Sequence, residues 1–402
     1  MTAAGRTESV ILPSGPTTAK TSRQPHLLHI FPSYQMGGVP IRITKVLNHL
    51  GYRYRHTIVA LDGGFGCKRR LEPGLDVNFS EVATSDYNLL RTITAVYARL
   101  REIGPDLLLT YNWGAVEWAL ANLLFSVCPH LHFESGFGPE EADGQIRRRT
   151  LMRRIALTRT RRVIVPSQTL VDIARTVWRL DPQKVLYVPN GVDCDLFCAQ
   201  PEPGIIPGFA KDPEELIVGT VAPIRAEKNL ARLVRAFAAV TGEFNARLLI
   251  VGDGVERPTL AALAGELGIA DKVILPGHID AVEKSLGWFD VFAMSSDTEQ
   301  MPNSLLQAMA AGLPVAATDV GDIKHVLASE NGPYVVSKHD DGLLTDALRR
   351  LLADPEARAR LGDCNQHHVR ATYSQDRMFD EYEKLYQSSL APTLRDRHAA
   401  SA

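Results

Sequence analysis

The sequence lacks any long hydrophobic run, and this absence excludes a whole class of proteins. No stretch of about 18 apolar residues occurs in the chain, so we predict no helix that spans a membrane. The N-terminus does not combine a basic segment with a following apolar segment, so we predict no signal peptide. A cytoplasmic location is the resulting expectation.

Cysteine is scarce and the net charge is close to zero. The five cysteines are scattered, and Cys194 and Cys198 form the only close pair, with no second pair of possible ligands near them. This usage is typical of a reducing compartment and not of a disulfide or zinc scaffold. The formal net charge of -2 argues against nucleic-acid binding by the protein as a whole.

The sequence does contain a regular alternation of strand-length apolar runs and helical patterns. Such alternation predicts parallel sheets covered by helices on both faces, and 402 residues are too many for one ordinary core. We therefore predict an α/β protein with two doubly wound, Rossmann-like domains that face a central cleft. The predicted strands are 26–32, 56–61, 106–111, 130–134, 162–167, 185–190, 216–222, 247–254, 272–277, 291–296 and 314–319.

Composition divides the chain further. The stretch AQPEPGIIPGFAKDPE has four prolines and no periodicity, so we predict a linker there. An amphipathic helix follows the second domain. In chain order, the predicted tail, first domain, linker, second domain, final helix and second tail are 1–24, 25–198, 199–214, 215–373, 374–390 and 391–402.

Two cations stand in the loop TVAPIRAEKN (220–229), between a predicted strand and a predicted helix. Ligands of doubly wound sheets bind at the carboxyl ends of the strands, where such loops lie. Arg225 and Lys228 stand beside the positive end of a helix, where cations are normally disfavoured. A bound diphosphate would offset that cost, so we favour a phosphate site over a solvated helix end.

The stretch SSDTEQMPNSLLQ (295–307) is the second polar strand-to-helix loop. A helix that begins near Asn303 would offer free backbone N–H groups to an anion. Glu299 can accept hydrogen bonds from sugar hydroxyl groups, and Gln307 follows two helical turns later. Taken alone, each residue is more simply an ordinary polar side chain of a loop or helix.

Glycine pairs occur at two further loops. Gly37 and Gly38 lie between a strand and a helix, where the missing side chains let a ligand approach the backbone. Neither this pair nor Gly252-Asp253-Gly254 completes the Gly-x-Gly-x-x-Gly pattern of nicotinamide-binding proteins. We therefore predict no cofactor.

Five longer motifs complete the sequence pattern. They are VPNGVDCDLF (188–197), GTVAPIRAEKNLARLVRAF (219–237), LLIVGDGVERPTLAALAGELGI (248–269), VILPGHIDAVEKSLGWFDVFAMSSDTEQMPNSLLQAMAAGLPVAATDVGD (273–322) and YSQDRMFDEYEKLY (373–386). In this order they resemble the retaining, nucleotide-sugar-dependent glycosyltransferases of family 4, which have the GT-B fold. The resemblance covers nearly all of 25–390. It implies transfer of a sugar to a saccharide or lipid-linked acceptor, in the synthesis of cell-surface or exported polysaccharide or glycolipid.

The resemblance also implies roles for individual residues. Arg225 and Lys228 would hold the donor diphosphate, Glu299 the hydroxyl groups of the sugar, and Gln307 the ribose of a UDP-type or GDP-type donor. The backbone around Pro276-Gly277-His278 would contact the base. The final helix would cross back to the first domain. The complete implied donor set is Gly37, Gly38, Arg225, Lys228, Gly277, His278, Glu299, Met301, Pro302, Asn303, Ser304 and Gln307.

The chain departs from the pattern of the family at several of these positions. Gln307 stands at the second Glu of the Glu-x7-Glu motif, and Gln300 replaces a common glycine. Asp322 and His325 stand where a glycine and a glutamate are common. Two other functions therefore stay open: a non-catalytic sugar-nucleotide sensor, and a nucleotide-sugar epimerase of the same fold.

The first domain supplies further candidates. His132 is equally consistent with a catalytic contact to the donor and with a packed strand residue. Glu134, Ser135 and Asn112 are candidates for the acceptor side. With Arg225, Lys228 and Glu299, His132 completes the catalytic set that we predict. We predict no metal ion, and we interpret the Asp-x-Asp spelling at 193–195 as coincidence.

Eight arginines and no acidic residue occur in GQIRRRTLMRRIALTRTRR (144–162). Apolar residues interrupt the charge and predict an amphipathic helix. We favour attraction to an anionic membrane surface, such as the inner face of the plasma membrane, over a merely solvated helix. Nucleic acid is a weaker alternative because no aromatic residues alternate with the arginines.

Overall fold

The computed structural model describes residues 23–81, 88–137, 141, 144–197 and 201–391. The first half forms a parallel sheet of seven strands in the order β3-β2-β1-β4-β5-β6-β7. Its strands are β1 (His26–Phe31), β2 (Arg55–Ala60), β3 (Val77–Glu81), β4 (Leu107–Tyr111), β5 (His130–Phe133), β6 (Arg162–Val165) and β7 (Val185–Tyr187). Its helices are α1 (Gly38–Leu50), α2 (Leu89–Ile103), α3 (Val116–Phe125), α4 (Arg147–Ala156) and α5 (Gln168–Thr176).

The second half forms a parallel sheet of six strands in the order β10-β9-β8-β11-β12-β13. Its strands are β8 (Leu216–Val221), β9 (Ala246–Val251), β10 (Val273–Gly277), β11 (Val291–Met294), β12 (Val315–Thr318) and β13 (Val335–Val336). The helices are α6 (Cys194–Phe197), α7 (Leu230–Ala238), α8 (Arg257–Glu266), α9 (Glu283–Leu286), α10 (Asn303–Ala310), α11 (Ile323–Val326), α12 (Asp341–Ala353), α13 (Pro355–Thr372) and α14 (Gln375–Leu390).

The predicted fold class is confirmed. Both sheets are parallel and doubly wound, with the order of strands reversing beside the first strand of each. We call β1–β7 with α1–α5 and α14 the N-lobe, and β8–β13 with α6–α13 the C-lobe. Each sheet is buried between two apolar clusters, one on each face, as expected of parallel strands with helical crossovers.

Local sequence explains where helices begin and end. The side chain of Asn88 accepts a hydrogen bond from Arg91 N–H and caps α2. Gly104 ends the same helix in the left-handed conformation, with φ of 56°. At α7, Asn229 has φ of 40° and its side chain caps the helix, which begins at Leu230.

The chain passes between the lobes earlier than the sequence indicates. Val188 packs in the N-lobe, whereas Val192, Cys194 and Phe197 already pack in the C-lobe core. The predicted linker at 199–214 is therefore not the connection: Ile206, within it, is buried against the C-lobe, and residues 198–200 lie outside the described residues. Apolar residues between the prolines pull this segment onto the second core.

The chain passes back at the start of α14. A parallel bridge joins Val192 to Ser374, so the two crossings lie side by side. Helix α14 then buries Met378, Phe379 and Tyr382 in the N-lobe cluster. The ring of Tyr382 stacks on Phe133 with 5.6 Å between ring centroids. The N-lobe is thus completed by a helix that follows the whole C-lobe in the sequence.

The two predicted tails lie largely outside the described residues, because 1–22 and 392–402 are not described. Of the remainder, Gln24 donates a hydrogen bond to the Tyr52 carbonyl at 2.9 Å. Within the described ranges, no helix has both the length and the apolar character needed to cross a bilayer.

Candidate functional site

Lys228 and Glu299 meet at the carboxyl edge of the C-lobe sheet. Lys228 follows β8 and Glu299 follows β11, and these two strands are neighbours. The Lys228 Nζ donates to Glu299 Oε1 at 2.5 Å, and the Ser296 hydroxyl donates to the same oxygen at 2.8 Å. The sequence predicted a phosphate-binding ammonium and a sugar-binding carboxylate, and the structure brings these two side chains into contact.

The backbone at Gly321 packs closely against the loop that carries Glu299. Gly321 has φ of 57°, and a Cβ atom there would lie 2.2 Å from the Glu299 carbonyl oxygen. A glycine is therefore required at this position, because both the dihedral angle and the space exclude a side chain. The Asp322 N–H donates to the Gln300 carbonyl at 3.0 Å and completes the support.

Arg225 lies beside this pair but is exposed. It precedes a short 3-10 turn that ends at Lys228. Among the residues that the structure describes, its guanidinium has no carboxylate partner. Arg225 is therefore the cation of this loop that is available to a ligand without breaking an ion pair.

Two helix N-termini from opposite lobes lie close together. Gly38 begins α1 and Asn303 begins α10, and neither helix has a side-chain cap. A Cβ atom on Gly38 would lie 3.6 Å from Asn303 Nδ2, so the two ends are in close proximity. Neither dihedral angles nor crowding demand glycine at Gly37 or Gly38, which leaves open backbone at the end of a helix.

Gln307 lies one turn along α10, beside a cavity of about 40 Å³ between the lobes. Lys45 and Arg42 of α1 line the same cavity. Burial lowers the pKa of Lys45, although Asp193 acts against that shift. Sequence reasoning missed both cations, since nothing in the sequence places α1 against α10.

The other predicted donor residues lie on the same edge. Gly277 has φ of 87° and its carbonyl accepts the Gly252 N–H at 2.9 Å, while His278 is exposed after it. Met301 and Pro302 are buried, so only their backbone faces the cleft, and Ser304 is half-buried in the first turn of α10. Asn190 donates to the Met301 carbonyl at 2.9 Å and fixes that backbone.

The N-lobe candidates divide into buried and accessible groups. His132 is 1% exposed and Glu134 is 0% exposed. His132 Nδ1 contacts the Thr110 hydroxyl at 2.8 Å, and Arg153 Nε donates to Glu134 Oε2 at 3.2 Å. One nitrogen of His132 and one oxygen of Glu134 have no hydrogen-bond partner. Both side chains are buried, so a ligand in the cleft does not contact them in this conformation.

Ser135 and Asn112 are half-buried and adjacent. The Asn112 side chain accepts the Ser135 N–H at 2.9 Å, and Arg42 donates to the Ser135 hydroxyl at 2.8 Å. Arg42 also donates to the side chain of Asn190. The structure thus gathers two of the three acceptor-side candidates, Ser135 and Asn112, beside a cation from α1.

The basic stretch 144–162 is only partly buried, because Arg147, Arg148, Arg159 and Arg162 are exposed. Arg153 is buried and forms two hydrogen bonds with Glu141, at 3.1 and 3.0 Å. Arg154 donates to the carbonyls of Val177 and Trp178. The exposed part of the helix is smaller than the sequence indicates. It comprises Arg147 and Arg148 with the apolar residues Ile146, Leu151 and Ile155.

The two aspartates of the Asp-x-Asp sequence at 193–195 bind different partners. Asp193 accepts a hydrogen bond from Gln375 at 2.8 Å, and Asp195 pairs with Arg370 at 2.6 Å. Over the described part of the chain, no cluster of three or more His, Cys, Asp or Glu side chains is arranged to hold a metal ion.

Comparison with known families gives two matches that do not overlap. The family described as Glycosyltransferase Family 4 matches residues 36–196, and the family described as Glycosyl transferases group 1 matches residues 213–354. Together the two matches cover well over half of the chain, with one in each lobe.

Curated relatives agree with these matches. N-acetyl-alpha-D-glucosaminyl L-malate synthase of Bacillus anthracis is 31% identical over 172 residues, which are 43% of this chain and 45% of the relative. D-inositol 3-phosphate glycosyltransferase of Stackebrandtia nassauensis is 31% identical over 229 residues, 52% of this chain and 49% of the relative. The chain thus spans about half the length of these two relatives.

Solved structures share the whole fold. Anabaena Alr3699/HepE in complex with UDP has a TM-score of 0.76 and 17% identity, over 90% of this chain and 100% of that chain. At this identity the likeness concerns the fold alone.

Proposed function

The chain belongs to the family 4 glycosyltransferases of group 1, and from that premise we propose that it transfers a sugar from a nucleotide-diphosphate sugar to a saccharide or lipid-linked acceptor. The transfer retains the anomeric configuration and needs no metal ion. The observations that carry this proposal are the close approach of two uncapped helix N-termini, at Gly38 and Asn303, and the Lys228–Glu299 pair, whose Glu299 lies in the loop that leads to Asn303. Positive helix ends, a guanidinium and an ammonium together suit a diphosphate.

Binding divides between the two sides of the cleft. Arg225, Lys228 and the first turn of α10 hold the diphosphate, and Glu299 accepts hydrogen bonds from the hydroxyl groups of the sugar. The present ion pair leaves these two groups side by side, so a donor that lies across them places its sugar on one and its phosphate on the other. Gln307 remains the candidate for the ribose, and Gly277 and His278 for a uracil or guanine base.

Chemistry in this site depends on placement and charge. The acceptor oxygen attacks the anomeric carbon from the face on which the diphosphate departs. The bond between that carbon and the diphosphate oxygen breaks, and its electron pair leaves with the diphosphate. The departing phosphate oxygen takes the proton of the acceptor hydroxyl, while Arg225 and Lys228 neutralise the growing charge.

Donor binding is the first test. A thermal-shift panel of UDP-sugars and GDP-sugars identifies the donor, because a ligand at 100 times its Kd stabilises the folded state by about 2.7 kcal/mol. Turnover of that donor should survive chelation of divalent ions. Loss of turnover on chelation would contradict the metal-independent part of the proposal.

Two variants then test the cations. Arg225→Ala and Lys228→Ala should each lower kcat by about 100- to 1,000-fold, since each removes a group that stabilises developing charge. Arg235→Ala is the matched control, because Arg235 is exposed on α7, two turns beyond this loop. Wild-type turnover in either test variant would overturn the assignment.

NMR of the donor incubated alone tests the epimerase alternative, because an epimerase would produce a new sugar without an acceptor.

Association with an anionic membrane surface is a separate part of the proposal. It is supported by Arg147 and Arg148, which are exposed beside Ile146, Leu151 and Ile155 on one face of α4. Each basic residue near an anionic surface contributes about 1 kcal/mol, and apolar neighbours add buried area. Such a location suits a lipid-linked acceptor at the inner face of the plasma membrane and a role in polysaccharide or glycolipid synthesis.

Vesicle sedimentation tests this surface. Vesicles that contain phosphatidylglycerol should bind the wild type, and Arg147→Glu with Arg148→Glu should weaken binding at least about tenfold, by loss of roughly 2 kcal/mol. The control is Arg91→Glu with Arg101→Glu, two exposed arginines of α2 in the same lobe. Equal binding to neutral phosphatidylcholine would exclude an electrostatic surface.

A further inference from the structure

Helix α5 of the N-lobe is capped by a carboxylate from the C-lobe. Asp322 Oδ2 accepts the Gln168 N–H at 2.5 Å, and Oδ1 accepts the Thr169 N–H at 3.0 Å and the Thr169 hydroxyl at 2.7 Å. Within its own lobe, the α5 N-terminus donates a hydrogen bond from the Leu170 N–H to the Ser167 hydroxyl oxygen. The remaining exposed donors of the first turn are thus satisfied across the cleft.

This contact is buried and charged. Asp322 is 1% exposed, and its two oxygens take three hydrogen bonds from α5. A carboxylate at a helix N-terminus gains from both the hydrogen bonds and the helix dipole. Opening the cleft separates the carboxylate from these donors, so the contact favours the closed arrangement of the lobes.

A second contact lies next to the first. The Ser167 hydroxyl donates to Gln300 Oε1 at 3.0 Å, and the Gln300 Cγ lies 3.3 Å from the Cβ position of Gly136. The two C-lobe residues are themselves joined, since the Asp322 N–H donates to the Gln300 carbonyl. Gln300 and Asp322 therefore grip the start of α5 as one unit.

Gln300 directly follows Glu299, so the contacts of Gln300 and Asp322 with α5 restrain the loop that carries the sugar-binding carboxylate. We propose that Asp322 and Gln300 form an interlobe clasp with Ser167 and Thr169, and that they are positioning residues that fix Glu299 relative to the N-lobe. The clasp needs the proposed function only for the role of Glu299. Its structural part, the closed cleft, is independent of any substrate.

The clasp gives the unusual residues at these positions a common purpose. The family pattern that the sequence resembles has glycine at both positions, and glycine has no side chain to make either contact. The two departures stand 22 residues apart in sequence but touch the same helix end in space. Together they replace two flexible positions with two interlobe hydrogen-bonding groups.

Small-angle scattering of the ligand-free full chain tests the structural part. Asp322→Ala removes the cap and should shift the radius of gyration upward, because a lost cap changes a closed-to-open ratio on the order of five- to thirtyfold. Asp322→Asn retains an oxygen acceptor and should restore most of the wild-type curve. Thr169→Val removes one donor from the other lobe and should shift the curve in the same direction by less.

The matched control is Asp354→Ala. Asp354 caps α13 by accepting the Ala357 N–H at 2.8 Å, and both residues lie in the C-lobe. This variant loses a helix cap of the same kind without changing any contact between lobes. It should lower the thermal midpoint but leave the scattering curve unchanged. Identical scattering from wild type, Asp322→Ala and Thr169→Val would overturn the clasp.

Kinetics test the positioning part. With the donor found by thermal shift, kcat of Asp322→Ala and of Gln300→Gly should fall about five- to thirtyfold, in proportion to the lost closed population. Asp354→Ala should keep the wild-type kcat. An open scattering curve with unchanged kcat would remove the positioning role and leave a purely structural contact. If the wild type turns over no donor, the proposed function fails while the scattering result still decides the clasp.

Discussion

Hydrogen-bonded histidines line the sheet of the N-lobe, whereas aliphatic side chains line the sheet of the C-lobe. On one face of the N-lobe sheet, His29 Nε2 meets His56 Nδ1 at 3.0 Å and His29 Nδ1 meets the Tyr111 hydroxyl at 2.9 Å. On the other face, Thr110 contacts both His130 and His132, at 2.7 and 2.8 Å. In the C-lobe, every histidine that the structure describes is at least partly exposed.

The difference shows that one fold can be stabilised in two ways. Parallel strands buried on both faces normally read as continuous apolar runs, and the C-lobe follows this rule. The N-lobe inserts polar groups whose burial is offset only when each finds a partner in the next strand. Its pairing is therefore more specific, and its stability depends on the protonation state of those groups.

Acid should produce the largest difference between the lobes. Burial and the charge of His26 lower the pKa of His56 to about 3, and burial also lowers the pKa of His29 and of His130. In the unfolded chain, each of these histidines has a pKa of about 6.5 and binds a proton below that pH, whereas the folded protein keeps it neutral. The stability that the neutral histidines contribute is therefore complete above pH 6.5 and is lost as pH falls toward 3. Between pH 6.5 and 4.5, His56 alone should remove about 2.5 kcal/mol from the stability of the N-lobe.

Tryptophan fluorescence can follow the two lobes separately during urea unfolding. Trp113, Trp118 and Trp178 belong to the N-lobe and Trp288 to the C-lobe, so Trp288→Phe leaves reporters in the N-lobe alone. The N-lobe midpoint should fall steeply between pH 7.5 and 4.5, and less steeply in His56→Asn. If the urea midpoints of both lobes changed with pH to the same extent, the predicted difference between the lobes would be wrong.

Removal of Arg153 should have the next largest effect. Its guanidinium contacts Glu134 and Glu141, and all three side chains are buried. Burial alone would raise the pKa of Glu141, but the hydrogen bonds and charge of Arg153 outweigh burial and lower it. Arg153→Met leaves the buried Glu134 without its arginine and leaves Glu141 with Arg149 as its one remaining arginine, so it should cost about 3–5 kcal/mol in urea unfolding at pH 7.5.

Arg154→Met is the matched control for that variant. Arg154 stands next in the same helix but donates only to backbone carbonyls near the surface. Its loss should change stability by less than about 1.5 kcal/mol. Equal losses from the two variants would show that the buried charges have no special weight in the N-lobe.

The smallest of the three effects should come from the C-lobe, where a buried asparagine pair satisfies backbone groups. Asn331 accepts the Val315 N–H at 3.0 Å and donates to the Val315 carbonyl at 2.7 Å, beside Asn365. Asn331→Ala leaves these backbone groups unpaired and should cost about 1–3 kcal/mol. Ser329→Ala, an exposed neighbour, is the control. If Asn331→Ala lowered the free energy of unfolding by more than Arg153→Met does, the predicted ranking of the two lobes would be wrong.

Periodicity and capping residues predicted most of the fold. The ends of helix α2 are encoded locally, because Asn88 caps its start and Gly104 ends it. Strand β3 was missed because it is a largely exposed strand at the edge of its sheet and carries little apolar sequence. Strand β13 was missed because it has two residues, too few for any pattern.

The candidate site was predictable only where loops that directly follow strands of one sheet supply the chemistry. Lys228 and Glu299 each follow a strand, and the topology of neighbouring strands brings them together. Arg42, Lys45 and Ser167 reach the cleft from the other lobe. Arg42 bonds Ser135 and Asn190, and Ser167 bonds Gln300, all more than 90 residues away in the sequence. No local pattern encodes such a contact, because it depends on how the two lobes are set against each other.

The late addition of α14 to the N-lobe bears on how the chain acquires its structure during translation. The ribosome releases β1–β7 first, yet the aromatic surface that Tyr382 and Tyr386 cover stays open until the entire C-lobe has been synthesised. The order of synthesis and the order of completion are thus reversed: the second unit can mature first, and the first unit waits for a helix made after both.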